Sequence, residues 1–406
     1  MGVSALMKGP QPIPSEHLVT LANWQLAPGN RWAFQHVREL VPTAPIRRGD
    51  GPLWRLERDE VDLDDLLVDS SSSSRSLRAL LDSSETDGFL VIHRGRVVTE
   101  QYFNGMTEDT PHLLQSVSKS ITAAVAGRLI GRGSLEPSAQ LEDVVPELAG
   151  TAFAGATVQQ LLDMRTGTRF SEDYADEDAD VRRFEEVYLW RPRRRAELPA
   201  DALAYFATLE NDEPHGGEFR YRSVLTDVMA WVIEAAAGAR FHEVVARELW
   251  GPMGAEFDAA VTVDAHGNAM ADGGLCVTLR DLGRFGLLYA NDGRRGAETV
   301  VPAEWVADTV AGTPQSRAAF ARSAESRGFP ASAHYRNYWW VYDADAPLLY
   351  AAGINGQNLF VHGPTQTVVV KLSTWPTALD GAKQSALREA TVAIGEYLEG
   401  RRGLRA

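Results

Sequence analysis

The spacing of apolar residues along the chain changes twice, and these changes outline the predicted fold. Residues 88–103 are rich in β-branched and aromatic residues and are divided by a turn, which predicts two paired strands. Residues 121–289 show mostly helical spacing. After residue 335, short apolar runs bounded by turn residues predict four more strands, and residues 381–399 form a predicted amphipathic helix.

Strands at both ends of the chain with helices between them predict an α+β fold. We expect an antiparallel sheet built from both chain ends and flanked by helices, with a mostly helical inserted domain. The predicted sheet domain comprises residues 51–120 and 290–406, and the helical domain residues 121–289. Residues 1–50 contain six prolines and are predicted to form an irregular arm. We expect an active site at the interface of the two domains.

The best candidate for chemistry is a Ser-x-x-Lys motif, Ser116 to Lys119, at the start of a predicted helix. Residues three apart on a helix share a face, so the hydroxyl and the ammonium can meet. A serine needs a neighbouring base, and a lysine serves only if burial or a neighbouring cation lowers its pKa. The motif alone is weak, because a solvated helix surface gives the same pattern. However, the chain has four lysines, and Lys119 is the one that follows a serine by three residues within an apolar segment.

Two further stretches can complete a serine–lysine site. Tyr221 follows a glycine-rich turn and opens a predicted helix, where its hydroxyl can carry a proton; an ordinary exposed tyrosine is the alternative. The segment 353–358 contains two glycines, which allow close approach of a backbone to a substrate. The amide of Ile354 can then pair with the amide of Ser116 as an oxyanion hole, and a plain hairpin turn is the alternative.

Composition narrows the class of protein. The net charge of −15 argues against nucleic-acid binding, while 44% hydrophobic and 23% charged residues are typical of a soluble globular enzyme. The single cysteine, Cys276, excludes an intramolecular disulfide and a thiolate metal cluster, and its apolar neighbours favour a buried, inert thiol. We see no signal peptide and no apolar run of membrane-spanning length, so we expect a cytoplasmic protein without a membrane partner.

One strongly charged stretch has a plain explanation. Residues 172–180 are mostly acidic and residues 182–195 are rich in arginine. Blocks of opposite charge next to each other favour a solvated loop whose halves neutralise each other. The loop also contains Tyr174, and mobile loops of this kind often close over a substrate.

The candidate motifs together resemble a known superfamily. Ser116-x-x-Lys119, Tyr221-x-Ser223 and the later glycine-containing strand resemble the serine β-lactamases and penicillin-binding proteins, in particular the class C branch and its esterase relatives. Further segments resemble the 6-aminohexanoate-dimer hydrolases, and the whole resemblance covers roughly residues 85–400. The segments concerned are 164–174, 339–340, 353–358 and 370–376.

This resemblance implies a β-lactamase-like fold and a serine hydrolase, either an amidase or a carboxylesterase. It would cleave a small-molecule ester or unstrained amide through an acyl-enzyme, without a metal or cofactor; a homodimer stays open. Ser116 is the implied nucleophile, and Lys119 and Tyr221 shuttle its proton, with the acylation base undecided between them. The amides of Ser116 and Ile354 form the implied oxyanion hole. The implied substrate-binding residues are Tyr174 at the scissile amide, Trp340, Asn355 and Asp272.

Three departures from the family pattern bear on the substrate. Ala351-Ala352-Gly353 stands in place of Lys-Thr-Gly, so the cationic anchor for a β-lactam carboxylate is missing. Asn355 replaces a histidine of the 6-aminohexanoate-dimer hydrolases, and Asp272 replaces an asparagine.

The alternatives to such a hydrolase are a β-lactamase or D-Ala-D-Ala peptidase, and a non-catalytic ligand sensor on the same fold. Intact Ser116, Lys119 and Tyr221 count against the sensor.

Overall fold

A computed structural model describes residues 5–70 and 73–403. Residues 1–4 of the predicted arm, and residues 71–72 and 404–406 of the predicted sheet domain, lie outside the described residues. Sixteen strands are present in that part of the chain. In chain order they are β1 Thr43–Ile46, β2 Glu57–Arg58, β3 Leu67–Ser70, β4 Ser73–Ser76, β5 Thr86–His93, β6 Arg96–Tyr102, β7 His112–Leu113, β8 Ala259–Thr262, β9 Leu275–Val277, β10 Arg294–Arg295, β11 Glu298–Thr299, β12 His334–Arg336, β13 Trp339–Asp343, β14 Leu348–Gly353, β15 Gln357–His362 and β16 Thr367–Ser373.

Fourteen α-helices are found in the same described residues, most of them between the two groups of long strands. In chain order they are α1 Asn30–Ala33, α2 Leu77–Asp82, α3 Ser118–Gly131, α4 Leu141–Val144, α5 Val158–Leu162, α6 Asp180–Val187, α7 Ala202–Phe206, α8 Val224–Ala237, α9 Phe241–Val245, α10 Gly251–Met253, α11 Leu279–Ala290, α12 Ala303–Ala311, α13 Pro314–Arg322 and α14 Gly381–Gly403.

The main sheet joins the two ends of the chain. Its eight strands follow the order β12-β13-β14-β15-β16-β5-β6-β2. At its centre β16 runs antiparallel to β5, with Val370 opposite Leu90. The predicted α+β fold, with a sheet built from both chain ends, is therefore confirmed. One edge differs from the antiparallel prediction, because the short β2 runs parallel to β6.

Helices cover both faces of this sheet, as the alternation of side chains along a strand requires. Leu90 of β5 belongs to the core on the α11 side, whereas Phe89 belongs to a second core with Ile394 of α14. Helix α11 approaches the sheet closely at Gly286, where an added Cβ would lie 2.6 Å from Val368 Cγ1. Glycine thus permits a helix–sheet contact that any side chain would push apart.

A second, four-stranded sheet was not predicted. Its order is β1-β8-β9-β7, and β1 pairs with β8 through Ala44 opposite Val261. Residues 43–46 of the predicted irregular arm are therefore a strand, and Trp24 and Phe34 of the same arm are buried in the main core. The prediction of an entirely irregular arm is wrong here, because strands this short carry little local signal and their partners lie far along the chain. The remaining domain boundaries stay predictions.

The interior also accounts for the single cysteine. Cys276 lies in β9 and is buried, and burial raises the pKa of its thiol to about 12, so the thiol is inert near neutral pH. In the part of the chain that the structure describes, none of the helices combines the length and apolar character needed to span a bilayer.

Candidate active site

Ser116 lies where a short 3₁₀ turn, Gln115–Val117, runs into helix α3. Gln115 has a left-handed backbone (φ +48°), which turns the chain sharply before the serine. The end of β14 passes directly beside this turn. A Cβ added to Gly353 would lie 2.9 Å from the amide nitrogen of Ser116 and 2.6 Å from the carbonyl oxygen of Leu114. The missing side chain at position 353 therefore brings the strand against the backbone of the serine.

Lys119 is directed at Ser116 from the first turn of α3. Its Nζ donates to Ser116 Oγ at 2.9 Å and to the carbonyl oxygen of Asp272 at 2.8 Å. The side chain is 1% exposed, so the burial expected from the apolar segment is confirmed. The spacing of three residues thus brings hydroxyl and ammonium into hydrogen-bonding contact, as the motif predicts.

If Lys119 is to act as a base, the sequence argument requires a lowered pKa. Burial is the largest influence and acts to lower the pKa, but the ionisable groups around Lys119 together act more strongly, and the pKa is raised overall. The groups that raise it are Tyr221 in its ionised form, which acts most strongly, and the carboxylates of Asp272, Glu172 and Asp227. The condition for a base is therefore not met in the free site, because a tyrosine and three carboxyl groups from distant segments surround one ammonium.

Tyr221 lies just before helix α8, with its ring close to Lys119. The Nζ of Lys119 lies 5.2 Å from the centre of the Tyr221 ring. The ring stacks on Trp340, with centroids 5.7 Å apart and planes 19° apart. Burial raises the pKa of the Tyr221 hydroxyl, and the ammonium of Lys119 opposes this only in part. The tyrosine is therefore held as a neutral hydroxyl beside a cationic lysine.

Ser116, Tyr221 and Trp340 border a cleft of about 550 Å³. Trp340 forms part of one wall and also stacks on Tyr350, with centroids 6.0 Å apart, so that wall is largely aromatic. Ile354 lines the cleft beside the serine. The cleft thus brings together five of the predicted site residues: Ser116, Tyr174, Tyr221, Trp340 and Ile354.

Glu172 is a cleft residue that the sequence did not single out. Its Oε2 accepts hydrogen bonds from the Tyr174 hydroxyl at 3.1 Å and from Ser223 Oγ at 3.2 Å, and its Oε1 accepts from the Ser223 amide. Burial raises the pKa of Glu172, and the charge of Lys119 opposes it. The only available signal was the position of Glu172 two residues before Tyr174, within the segment that carries the family resemblance.

Ion pairs join the two halves of the charged loop around Tyr174. Arg191 pairs with Glu177 at 2.8 Å, and Arg195 pairs with Asp178 at 2.6 Å. The acidic and basic halves therefore neutralise each other, as expected. The Glu172–Ser223 contacts join the loop to the start of helix α8. Closure of this loop over a substrate stays a prediction.

Asn355 and Asp272 lie behind the cleft surface. Asn355 has a left-handed backbone (φ +59°), and its buried side chain donates through Nδ2 to the carbonyl oxygen of Trp375 at 2.9 Å. This hydrogen bond holds Asn355, the residue after Ile354, against the segment that follows β16. Asp272 is 6% exposed, and its Oδ2 lies 3.6 Å from Lys119 Nζ. The substrate-binding roles of both residues stay predictions.

A cleft serine bonded to a buried lysine, with a neighbouring tyrosine, between a helical part and a largely antiparallel sheet, defines a class of serine hydrolase. Residues 75–393 match the family model described as Beta-lactamase. The chain therefore belongs to the beta-lactamase family and is a serine hydrolase.

Within this family, the chain is 38% identical to the 6-aminohexanoate-dimer hydrolase of Paenarthrobacter ureafaciens over 362 residues, 88% of each chain. It is also similar to a solved structure from Bacillus anthracis, provisionally assigned as a 6-aminohexanoate-dimer hydrolase. The TM-score is 0.86 at 28% identity, covering 95% of this chain and 99% of that chain. The octameric penicillin-binding protein homologue of Pyrococcus abyssi has the same fold, with a TM-score of 0.61 at 16% identity over 79% of this chain and 76% of that chain. The resemblance inferred from the motifs is confirmed.

Proposed function

We propose that the protein hydrolyses an unstrained amide like that of 6-aminohexanoate dimer, or a short-chain ester, through an acyl-enzyme on Ser116. The observation that carries this proposal is the 2.9 Å hydrogen bond between Lys119 Nζ and Ser116 Oγ beside a cleft of about 550 Å³. The 38% identity to the hydrolase of P. ureafaciens supports a linear amide as the substrate.

In the acylation step, Ser116 Oγ attacks the carbonyl carbon and loses its proton to the Lys119–Tyr221 pair. The carbonyl oxygen becomes an oxyanion held by the amides of Ser116 and Ile354. The close approach of Gly353, the residue before Ile354, to the serine backbone supports this pairing. The tetrahedral intermediate collapses as the departing nitrogen or oxygen takes the proton from the same pair.

In the deacylation step, a water molecule attacks the acyl carbon and gives its proton to the Lys119–Tyr221 pair. The bond to Ser116 Oγ breaks, and the serine recovers a proton. Because the free site holds Lys119 as an ammonium, a proton must leave it before it can accept one. Activity should therefore rise as the pH increases from neutral toward the raised pKa of Lys119.

The chemistry of the cleft favours substrates without an anionic group next to the scissile bond. An aromatic wall formed by Trp340 and Tyr350 suits an extended hydrocarbon chain. Among the described residues that line the cleft there is no arginine or lysine, whereas Glu172 and Asp380 are acidic. The carboxylate of a β-lactam or of a D-Ala-D-Ala peptide lies close to the scissile amide and would lack a cationic partner, which argues against these two substrate classes. The carboxylate of 6-aminohexanoate dimer is separated from the scissile nitrogen by a hydrocarbon chain and can stay in solvent.

A substrate panel tests the proposal. We expect turnover of p-nitrophenyl butyrate and of 6-aminohexanoate dimer, and little turnover of nitrocefin or a D-Ala-D-Ala peptide. Ser116→Ala should abolish turnover, whereas Ser134→Ala, on the exposed surface, should not change it. Turnover that persists in Ser116→Ala would overturn the proposal, and binding without turnover would identify a ligand sensor.

Covalent labelling gives an independent test of the nucleophile. A fluorophosphonate should modify Ser116, as located by mass spectrometry. The nearest rival is Ser118, which is fully buried and whose Oγ accepts a hydrogen bond from the Leu275 amide at 3.2 Å. A label on Ser118, or on any other serine, would contradict the assignment.

A further inference from the structure

Two buried aspartates stand side by side behind Lys119. Asp227 lies on helix α8, and its Oδ1 accepts hydrogen bonds from the amides of Ala271 at 2.7 Å and of Asp272 at 3.3 Å. Asp272 in turn faces Lys119 through its carbonyl oxygen at 2.8 Å and its Oδ2 at 3.6 Å. The two acids are 2% and 6% exposed. Asp227 therefore acts on the lysine through the segment that carries Asp272.

Each of these carboxyl groups has one oxygen without a partner. Among the residues that the structure describes, Asp227 Oδ2 and Asp272 Oδ1 are both buried and make no hydrogen bond. Two ionised carboxylates in this position would repel each other and would each leave a desolvated oxygen unsatisfied. One proton on Asp227 Oδ2 removes the repulsion and leaves a single ionised carboxylate in the pair.

The surrounding charges agree with one proton in the pair. The pKa of Asp227 is raised well above its ordinary value by burial and then by the charge of Asp272, and Lys119 opposes this only in part. The other titratable groups facing the two aspartates or Lys119 are Glu172, Tyr174, Tyr188, Tyr221 and Tyr338.

We propose that Asp227 and Asp272 hold one proton between them, so that the pair presents a single negative charge to Lys119. The pair is a positioning element that keeps Lys119 protonated and thereby sets the pH range of the reaction. The inference rests on the proposed function only for the role of Lys119.

The pH profile of kcat/KM for p-nitrophenyl butyrate tests the shared proton in four proteins: wild type, Asp227→Asn, Asp272→Asn and the double variant. In Asp227→Asn the remaining acid stays ionised, so the apparent pKa of the rising limb should stay within about 0.3 of wild type. In Asp272→Asn, Asp227 takes over the charge from a greater distance, so the pKa should fall only moderately. The double variant loses the charge, and its pKa should fall by about one to three units.

A shared proton makes the pKa shifts non-additive, because the shift in the double variant exceeds the sum of the two single shifts. If the double variant shifts by no more than the sum of the single shifts, the two acids titrate independently and the proposal is overturned. A shift in Asp227→Asn as large as that of the double variant would overturn it as well. The pH dependence of fluorophosphonate labelling should give the same order of shifts.

Unfolding by urea tests the pair without any need for activity. An unfolded aspartate has a pKa of about 3.9, so between pH 4 and 7 a folded state that keeps the proton loses stability as the pH rises, by about tenfold in the unfolding equilibrium constant per pH unit. Asp227→Asn should lack this loss, and its stability relative to wild type should grow over this range. Parallel curves would overturn the proposal.

This measurement separates the two hypotheses. If no substrate is turned over, the proposed function fails while the unfolding curves still decide the shared proton. If Asp227→Asn does not fold, Asp227→Ser replaces it in the same measurement, because a serine hydroxyl can still accept from the Ala271 amide and cannot titrate.

Discussion

Lys119 and Lys371 are both buried, one in helix α3 and the other in strand β16. Lys119 is 1% exposed and Lys371 is 0% exposed. Lys371 Nζ donates to the carbonyl oxygen of Ser84 at 3.0 Å and lies 5.8 Å from the ring centre of Trp375, a residue that lines the cleft. Burial lowers the pKa of Lys371 to about 7, whereas the pKa of Lys119 is raised.

The difference between the two lysines lies in the ionisable groups around them, of which Tyr221 acts most strongly on Lys119. Asp87 and Glu85 act to raise the pKa of Lys371, but burial outweighs them. Around Lys119 the balance is reversed, since Asp272 lies 3.6 Å from its Nζ and further acids stand behind it. Burial alone therefore does not determine whether a lysine is a base or a cation. Lys119, on the helical side of the cleft, keeps its positive charge near neutral pH, whereas Lys371, on the sheet side, has a pKa of about 7.

The largest expected effect comes from Lys119→Arg. Arginine keeps the positive charge but cannot give up its proton near neutral pH, so it cannot shuttle protons for Ser116. We expect the protein to fold and kcat to fall by about 100-fold or more, the usual scale of general acid–base assistance. Steady-state kinetics on p-nitrophenyl butyrate, with circular dichroism as the folding check, measure this.

The matched control is Lys371→Met, which removes the other buried ammonium without touching the predicted proton path. Its kcat should stay within about threefold of wild type, because Lys371 lies outside the predicted proton path and reaches the cleft through the ring of Trp375. If both variants lose activity equally, or if Lys119→Arg keeps near-normal turnover, the two lysines do not differ in function.

Lys371 should instead control how stability depends on pH. An unfolded lysine keeps its proton up to a pKa of about 10.4, whereas folded Lys371 releases it near pH 7. Between these values the unfolded state binds more protons, so stability rises with pH, by up to about 1.4 kcal/mol per pH unit from this group. Urea unfolding at pH 7 and 9 should show this rise in wild type and a smaller rise in Lys371→Met. Equal rises in both proteins would contradict the lowered pKa.

A smaller effect is expected from Tyr174→Phe, which tests whether the loop that carries Glu172 and Tyr174 takes part in the reaction. The Tyr174 hydroxyl bonds to Glu172 and is predicted to hold the scissile nitrogen. Losing one such hydrogen bond costs on the order of 1 kcal/mol. Amide hydrolysis should therefore fall by about fivefold, while hydrolysis of an ester with the same acyl group hardly changes. Equal effects on both substrates would remove Tyr174 from the reaction.

The smallest effect is expected from Lys383→Met, which extends the comparison to a partly exposed lysine. Lys383 Nζ pairs with Glu85 at 2.8 Å and lies 5.5 Å from the ring centre of Trp375, and its side chain is 21% exposed. Ion pairs in such positions contribute about 0–1 kcal/mol, so the free energy of unfolding should fall by less than about 1 kcal/mol. A fall in the free energy of unfolding as large as that caused by replacing a buried lysine would show that side-chain exposure does not explain the difference between these lysines.

The sequence predicts the parts of the site that lie close together along the chain. Ser116 and Lys119 are three residues apart on one helix, so their contact follows from helical geometry alone. The main sheet is also predictable, because its long strands carry strong apolar patterns. The small sheet is not, since β1 and β8 are four residues each and pair across more than half of the chain.

The electrostatics of the site are the hardest part to predict. The pKa of Lys119 depends on Tyr221, Asp272, Glu172 and Asp227, which are far apart along the chain. Asp227 offers one usable signal, because it is an acid in the buried part of an apolar helix, and such a residue needs a buried partner. The folded arrangement shows that this partner is the segment 271–272, which contacts Lys119.

The pairing of β5 with β16 has a consequence for how the protein is made. β5 leaves the ribosome early, but its neighbour in the sheet is among the last strands to be synthesised. Until then the nascent chain holds Ser116 and Lys119 without the strand that carries Gly353 and Ile354. Contacts so distant in sequence form slowly, and the unpaired edge of β5 is exposed to other chains meanwhile. Catalytic competence should therefore appear only once nearly the whole chain has been translated.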